Sequence, residues 1–135
     1  MRILIVDDET VSRGKLTAIL EDLGECRAVE NGKQALAAFQ TAWDNMEPFD
    51  LICLDVSMPE MDGREALIGI REAESRLELS PWSKTKVVMV TAQADQESVL
   101  DFLRAGCNDY IVKPFDGLTV RKKIESLFDR PGRIT

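Results

Sequence analysis

Histidine is absent from the 135 residues, which removes the commonest general base and the commonest activator of a nucleophile. Any chemistry has to run on carboxylates. Cysteine is scarce: Cys26, Cys53 and Cys107 are odd in number and widely spaced, a pattern that speaks against metal or disulfide roles and for a reducing compartment. Long apolar runs are missing too. The run Ile3-Leu4-Ile5-Val6 ends in Asp7-Asp8, far short of a signal-peptide core, and no stretch approaches membrane-spanning length. Basic residues are in the minority, 17 Lys and Arg against 24 Asp and Glu for a net charge of -7, so the chain should repel a polyanion such as DNA. There is no low-complexity tract and no internal repeat. These absences predict a cytoplasmic protein with neither nucleic acid nor membrane as a partner.

What the chain does have is a set of polar residues at the ends of short apolar runs. Asp7 and Asp8 follow Ile3–Val6, Asp55 follows Leu51–Leu54, Thr91 follows Val87–Val90, and Lys113 follows Tyr110–Val112. Runs this short and this rich in Val, Ile and Leu suit strands buried on both faces. If they lie parallel in one sheet, the five side chains meet at one edge, outside the carboxyl ends of the strands, where open α/β sheets place their chemistry.

Between the runs the apolar spacing is helical. Leu16, Ile19, Leu20 and Leu23 form one stripe, Ala35, Leu36, Phe39 and Trp43 a second, and Ala66, Leu67 and Ile70 a third. Val99, Leu100 and Leu103 form a fourth, and Leu118, Ile124, Leu127 and Phe128 line a last helix, each stripe reading as core. Asn31 and Asp95 are placed to cap helices, Gly24 and Gly106 to follow them, and Gly117 to lie in the first turn of the last one. With a weaker second strand at Cys26–Val29, the alternation predicts an α/β fold, a doubly wound parallel sheet with helices on both faces. The length predicts one domain, residues 1–135, with a core over about 2–128 and a tail, 129–135, too short for an appended module. Met1 and the short tail favour an independent unit. The stretch from Glu74 to Lys86 reads as a long surface connection.

Asp7, Asp8 and Asp55 brought together would repel one another by roughly 3 kcal/mol per close pair at an effective dielectric near 20. Lys113 offers one compensating charge, and a hard divalent cation with oxygen ligands, Mg²⁺, suits the remainder. A carboxylate beside Mg²⁺ and an ammonium is a plausible acceptor for a phosphoryl group, with Thr91 placed to bond a phosphoryl oxygen. The competing reading is that Asp7 and Asp8 only cap the first helix. That reading has no use for Asp55.

Taken in order, Val6-Asp7-Asp8-Glu9, Asn31-Gly32 with Ala35-Leu36, Asp50 through Asp55, Met58-Pro59-Glu60-Met61-Asp62-Gly63, Thr91-Ala92, and Ala105-Gly106 leading to Asp109-Tyr110-Ile111-Val112-Lys113-Pro114-Phe115 resemble the receiver domains of two-component response regulators, in particular the single-domain chemotaxis type. The resemblance implies a five-stranded, flavodoxin-like sheet of order 2-1-3-4-5, an order taken over from the family and not from the residues. It further implies that Asp55 accepts phosphate from a phosphohistidine on a sensor histidine kinase or histidine phosphotransfer protein. Asp8, Asp55 and the backbone carbonyl of Ser57 would ligate Mg²⁺, with Asp7 acting through water, and Lys113 would pair with the carboxylate and then the phosphoryl group. Pro114 would be cis.

Thr91 and Tyr110 would form a switch remodelling the face of helix 4, strand 5 and helix 5, where a downstream protein target binds. Ser57, standing where chemotaxis members commonly carry asparagine, and Gln93 would tune slow dephosphorylation. Such a chain is a signalling domain and not an enzyme in the ordinary sense, a monomer or weak homodimer. Alternatives are a phosphorylation-independent interaction module and the receiver portion of a longer regulator or hybrid kinase. A flavodoxin-type FMN site is disfavoured because Asp7-Asp8-Glu9 would repel a phosphate. A haloacid-dehalogenase-type enzyme needs a strand-one Asp-x-Asp pattern that is absent.

Overall fold

The apolar runs become strands of one sheet in a computed structural model of the chain, which describes residues 1–56, 61–80, 83–92 and 95–128. In chain order the elements are β1 (Arg2–Val6), α1 (Thr10–Leu20), β2 (Glu25–Val29), α2 (Gly32–Asp44), β3 (Leu51–Asp55), α3 (Gly63–Arg76), β4 (Lys86–Thr91), α4 (Gln96–Ala105), β5 (Asp109–Val112) and α5 (Gly117–Leu127). All neighbouring strands pair in parallel, in the order β2-β1-β3-β4-β5. Each parallel step needs a crossover, and the helix between consecutive strands supplies it.

Period-two alternation divides the core between the two faces of the sheet. Ile3, Ile5, Leu51, Cys53, Val88, Val90 and Ile111 pack against Leu16 and Leu20 of α1, Phe115, and Val120 and Ile124 of α5. On the other face, Leu4, Val6, Ile52, Leu54, Val87 and Met89 meet α2 through Ala35, Ala38 and Phe39, α3 through Ala66, Leu67 and Ile70, and α4 through Phe102. A buried Leu or Ile of this kind contributes roughly 1.5–3 kcal/mol. Central β3 is buried at every position, whereas edge strand β2 has no buried residue, Cys26 and Val29 being half-buried and Glu25, Arg27 and Ala28 exposed. That exposure explains its weak apolar signal, since Glu25 and Arg27 belong on a solvated edge.

Helix starts follow the expected chemistry. The side chains of Asn31, Asp62, Asp95 and Asp116 accept from the backbone N–H of Gln34, Glu65, Ser98 and Thr119 at 2.8 to 3.0 Å, each cap contributing about 1 kcal/mol. Helix α4 stops at Gly106, whose φ of 109° lies in the left-handed region that glycine enters without a Cβ clash.

Three expectations about packing need correction. Leu100 and Leu103, read as core, are 40% and 45% exposed, and the α4 residue that is buried is Phe102. The helix leans on α3 near the edge of the sheet, so only one line of its surface has anything to pack against. Leu118 is likewise exposed, because Val120 and Ile124 form the face of α5 that meets the sheet.

The third concerns the connection from Glu74 to Lys86, which is anchored at both ends. Helix α3 continues to Arg76, and Glu74 is fully buried. Its carboxylate pairs with Arg71 Nη1 at 2.6 Å and accepts from Thr85 N–H at 2.7 Å, while Thr85 Oγ1 donates to Phe49 O at 2.8 Å. Arg71 also donates to Gly106 O at 2.9 Å and to Asn108 Oδ1 at 2.9 Å, tying α3 to the loop between α4 and β5. Among the described residues no helix is long and apolar enough to cross a membrane.

Candidate functional site

Register brings the strand ends level. Val6 lies beside Leu54, Asp55 beside Val90 and Thr91 beside Val112, so Asp7, Asp55, Thr91 and Lys113 line the carboxyl edge of four adjacent strands. Alternation then sorts them. Asp7, Asp55 and Lys113 continue the face of Ile5, Cys53 and Ile111, covered by α1 and α5, whereas Thr91 continues the face of Val87 and Met89. Tyr110 packs on that second face, one strand over, in register with Met89.

Ligand oxygens of Asp7, Asp8 and Asp55 all lie within 4.8 Å of one another. Asp7 and Asp55 are buried at the strand ends, and Asp8 is exposed at the mouth of the site. The Lys113 ammonium reaches into the group from β5, 3.3 Å from Asp55 Oδ1, 3.6 Å from Asp7 Oδ2 and 3.5 Å from Glu9 Oε1. Lys113 thus pairs with three acids, while Asp8 crowds two of them without a cation of its own among the described residues.

Burial, and then the charge of Asp7, push the Asp55 carboxyl from 3.8 up to about 6, against the opposing pull of Lys113. For Lys113 burial favours the neutral form, but the charges of Asp55 and Asp7 outweigh it and the pKa rises above that of an ordinary lysine. The surplus negative charge and the all-oxygen donor set fit a hard divalent ion, and Mg²⁺ in particular tolerates a site completed by water.

The capping reading of Asp7 and Asp8 fails on geometry. The N-cap of α1 is Glu9, whose side chain makes no capping bond. Asp7 Oδ1 instead accepts from Glu9 N–H at 2.9 Å, a local turn that leads the chain into α1. On the β3 side, a Cβ at Gly63 would collide with the carbonyl oxygen of Asp55. Glycine is therefore needed there for close approach: it lets α3 begin directly over the strand end, with Gly63 N–H donating to Val56 O at 3.1 Å.

Thr91 is buried and Tyr110 half-buried, and the Lys113–Pro114 bond is cis. Ser57 and Gln93 lie outside the described residues. Three contributors were not anticipated. Glu9 shares Lys113; Arg13, one turn into α1, donates to Asp7 O at 2.8 Å; and Lys15, in the same helix, sits 4.7 Å from the centre of the Phe115 ring just past Lys113. A charged residue at each of positions 9, 13 and 15, at the N-cap and in the first turns of α1, was the available signal. Cys53, on the same strand as Asp55, is fully buried and its thiol is pushed up to about 12 by burial, so it is no nucleophile at neutral pH.

Comparison with known proteins agrees with this geometry. The model of the response regulator receiver domain matches residues 3–125. The chemotaxis protein CheY of Pseudomonas aeruginosa is 36% identical over 132 residues, spanning 96% of this chain and 98% of its own length. The sensor histidine kinase GacS of Pseudomonas protegens is 40% identical over 114 residues, 84% of this chain but 12% of that protein. Among solved structures, a chain of the CheX–CheY–BeF3–Mg²⁺ complex of Borrelia burgdorferi has a TM-score of 0.82 at 29% identity, with 96% of this chain and 90% of that one covered. Chemotaxis response regulator CheY4 of Vibrio cholerae has a TM-score of 0.79 at 30% identity, covering 94% and 98%.

Proposed function

The chain belongs to the response regulator receiver domain family, with a CheY-like fold, and from that premise we propose that it is a stand-alone phosphoacceptor whose acceptor is Asp55. Receiver domains are signalling domains and not enzymes in the ordinary sense. The observation that carries the reading is the joint placement of Asp55 at the end of β3, two further carboxylates within 4.8 Å, and the Lys113 ammonium at 3.3 Å. In the transfer, a carboxylate oxygen of Asp55 bonds to phosphorus as the P–N bond to a phosphohistidine imidazole breaks, and the departing imidazole takes a proton from solvent.

Asp8 and Asp55, whose oxygens lie with those of Asp7 within 4.8 Å of one another, would hold Mg²⁺ together with the backbone carbonyl of Ser57, as in the family pattern, with Asp7 acting through water; bound there, the ion would supply positive charge that offsets the approach of an anionic phosphoryl group. Lys113 supplies the same at a fixed position, and Asp7 and Glu9 hold its ammonium in reach of the acceptor. Because burial and then the charge of Asp7 push the Asp55 carboxyl up to about 6, added positive charge would favour its ionised, nucleophilic form.

Thr91 and Tyr110 form the switch. They share one face of adjacent strands, so a threonine hydroxyl drawn toward a phosphoryl group at the β3 end opens space that an aromatic ring on β5 can fill. The output is a protein contact on α4, β5 and α5, where Leu100, Leu103 and Val112 are exposed. Ser57 and Gln93 tune slow hydrolysis. The donor is a sensor histidine kinase or a histidine phosphotransfer protein, the setting cytoplasmic, and the protein a monomer or weak homodimer with neither nucleic acid nor membrane as a partner. A second reading, the receiver portion of a longer regulator or hybrid kinase, draws on the GacS match.

The test is incubation with acetyl phosphate and Mg²⁺ followed by intact mass measurement. One phosphoryl group is expected on the wild-type chain and none on Asp55→Asn. No addition, or addition that survives the substitution, would overturn the assignment and leave a phosphorylation-independent interaction module.

A further inference from the structure

Tyr110 is the only tyrosine of the chain, and the ammonium of Lys123 in α5 sits 4.3 Å from the centre of its ring. The same Nζ donates to Tyr110 O at 2.6 Å and lies 3.5 Å from Asp109 Oδ1. The lysine side chain is 30% exposed, so the cation is partly withdrawn from water, the condition under which a cation over a ring contributes more than at a fully open site. We propose that Lys123 is a positioning residue that holds the Tyr110 ring in its half-exposed place and so weights the switch toward the unphosphorylated state, an inference that rests on the Thr91–Tyr110 reading above.

The asymmetry lies in what anchors the ammonium. Tyr110 O and Asp109 hold Nζ through the β5 backbone and a neighbouring side chain, and neither moves when the Tyr110 ring rotates about its own side-chain torsions. Rotation inward therefore loses the ring contact and keeps the other two. A contact present in one rotamer and absent in the other is a differential interaction, which is what shifts a two-state equilibrium. Removing the contact enlarges the inward population and so raises the affinity for whatever favours the inward state, by up to the factor that the contact contributed, the limit reached when the inward state is minor.

The experiment uses the full chain labelled with 3-fluorotyrosine, which yields one fluorine resonance, titrated with beryllofluoride in the presence of Mg²⁺. In wild type the resonance is expected to move as the mimic binds. In Lys123→Gln the half-saturating concentration should fall about two- to fivefold, the range expected for one cation–ring contact, and the unliganded resonance should start displaced toward the liganded position. Lys123→Arg, which keeps a cation over the ring, should stay near wild type. Lys122→Gln, an exposed neighbour, should change neither readout.

An unchanged half-saturation and starting position in Lys123→Gln, with the wild-type resonance still responding, would overturn the counterweight and leave the switch standing. A lowered melting temperature alone would have the same meaning and assign Lys123 to packing. A wild-type resonance that ignores saturating beryllofluoride would remove the Tyr110 switch and the counterweight with it.

Discussion

Neutralising Asp55 should stabilise the metal-free protein at neutral pH, although it deletes a group from the site. Burial, followed by the charge of Asp7, raises the Asp55 carboxyl from 3.8 to about 6, and two units at about 1.4 kcal/mol each correspond to about 3 kcal/mol. An unfolded aspartate titrates near ~3.9. Between about pH 4 and pH 6 the folded chain therefore holds a proton that the unfolded chain has released, so stability falls as pH rises through that window and levels off above it.

Asp55→Asn removes this dependence. Its advantage over wild type should be small at about pH 4 and approach at most about 3 kcal/mol above pH 7. Lost contact with Lys113 trims the gain only partly, because that ammonium keeps Asp7 at 3.6 Å and Glu9 at 3.5 Å. Urea unfolding in EDTA from pH 4 to pH 8 reads the effect directly; with an m-value of about 1–3 kcal/mol/M the midpoint should move by about 1 M or more at the upper end. Saturating Mg²⁺ should narrow the gap, since an ion bound by the native carboxylates stabilises wild type more. A variant no more stable than wild type at pH 8, or one whose advantage does not change with pH, would refute the account of Asp55 as a strained carboxylate.

Four further outcomes follow from individual contacts. Asp8 is exposed, so Asp8→Ala should fold normally yet weaken Mg²⁺ binding at least about tenfold by calorimetric titration, comparable to the loss of a ligand's supporting shell; an unchanged titration removes Asp8 from the site. Thr91→Ala should still take phosphate from acetyl phosphate but bind its partner equally well with and without it, and a retained difference in partner affinity would exclude Thr91 from the switch. Arg71→Met strands the fully buried Glu74 carboxylate and should cost about 3–5 kcal/mol in urea unfolding, with a loss under 1 kcal/mol contradicting the pairing. Gly63→Ala places a Cβ on the Asp55 carbonyl and should cost about 1–3 kcal/mol and slow phosphorylation, whereas a neutral result would mean that α3 can retreat from the strand end.

The site was legible in the residues to an extent that the packing was not, and parallel topology is the reason. In a parallel sheet every strand points the same way, so the residue that follows each apolar run arrives at the same edge whatever the strand order. Asp7, Asp8, Asp55, Thr91 and Lys113 could therefore be grouped before the neighbours of any strand were known. Which of them touch depends on the order, and that came from family resemblance: β1 beside β3 puts Asp7 next to Asp55, and β5 at the far edge makes Lys113 reach across.

Contacts between elements left no such local trace. Glu74 looks like a surface acid until Arg71 and Thr85 enclose it, and Leu100 and Leu103 have helical core spacing yet lie beyond the reach of the sheet. Lys123 is one of several basic residues in α5, and only the position of the helix beside β5 sets it over Tyr110. The chemistry of this fold is encoded at strand ends, where neighbouring chain positions decide it. Contacts between layers are set elsewhere, by residues such as Lys123 and Tyr110, 13 positions apart, which meet only after the chain has folded.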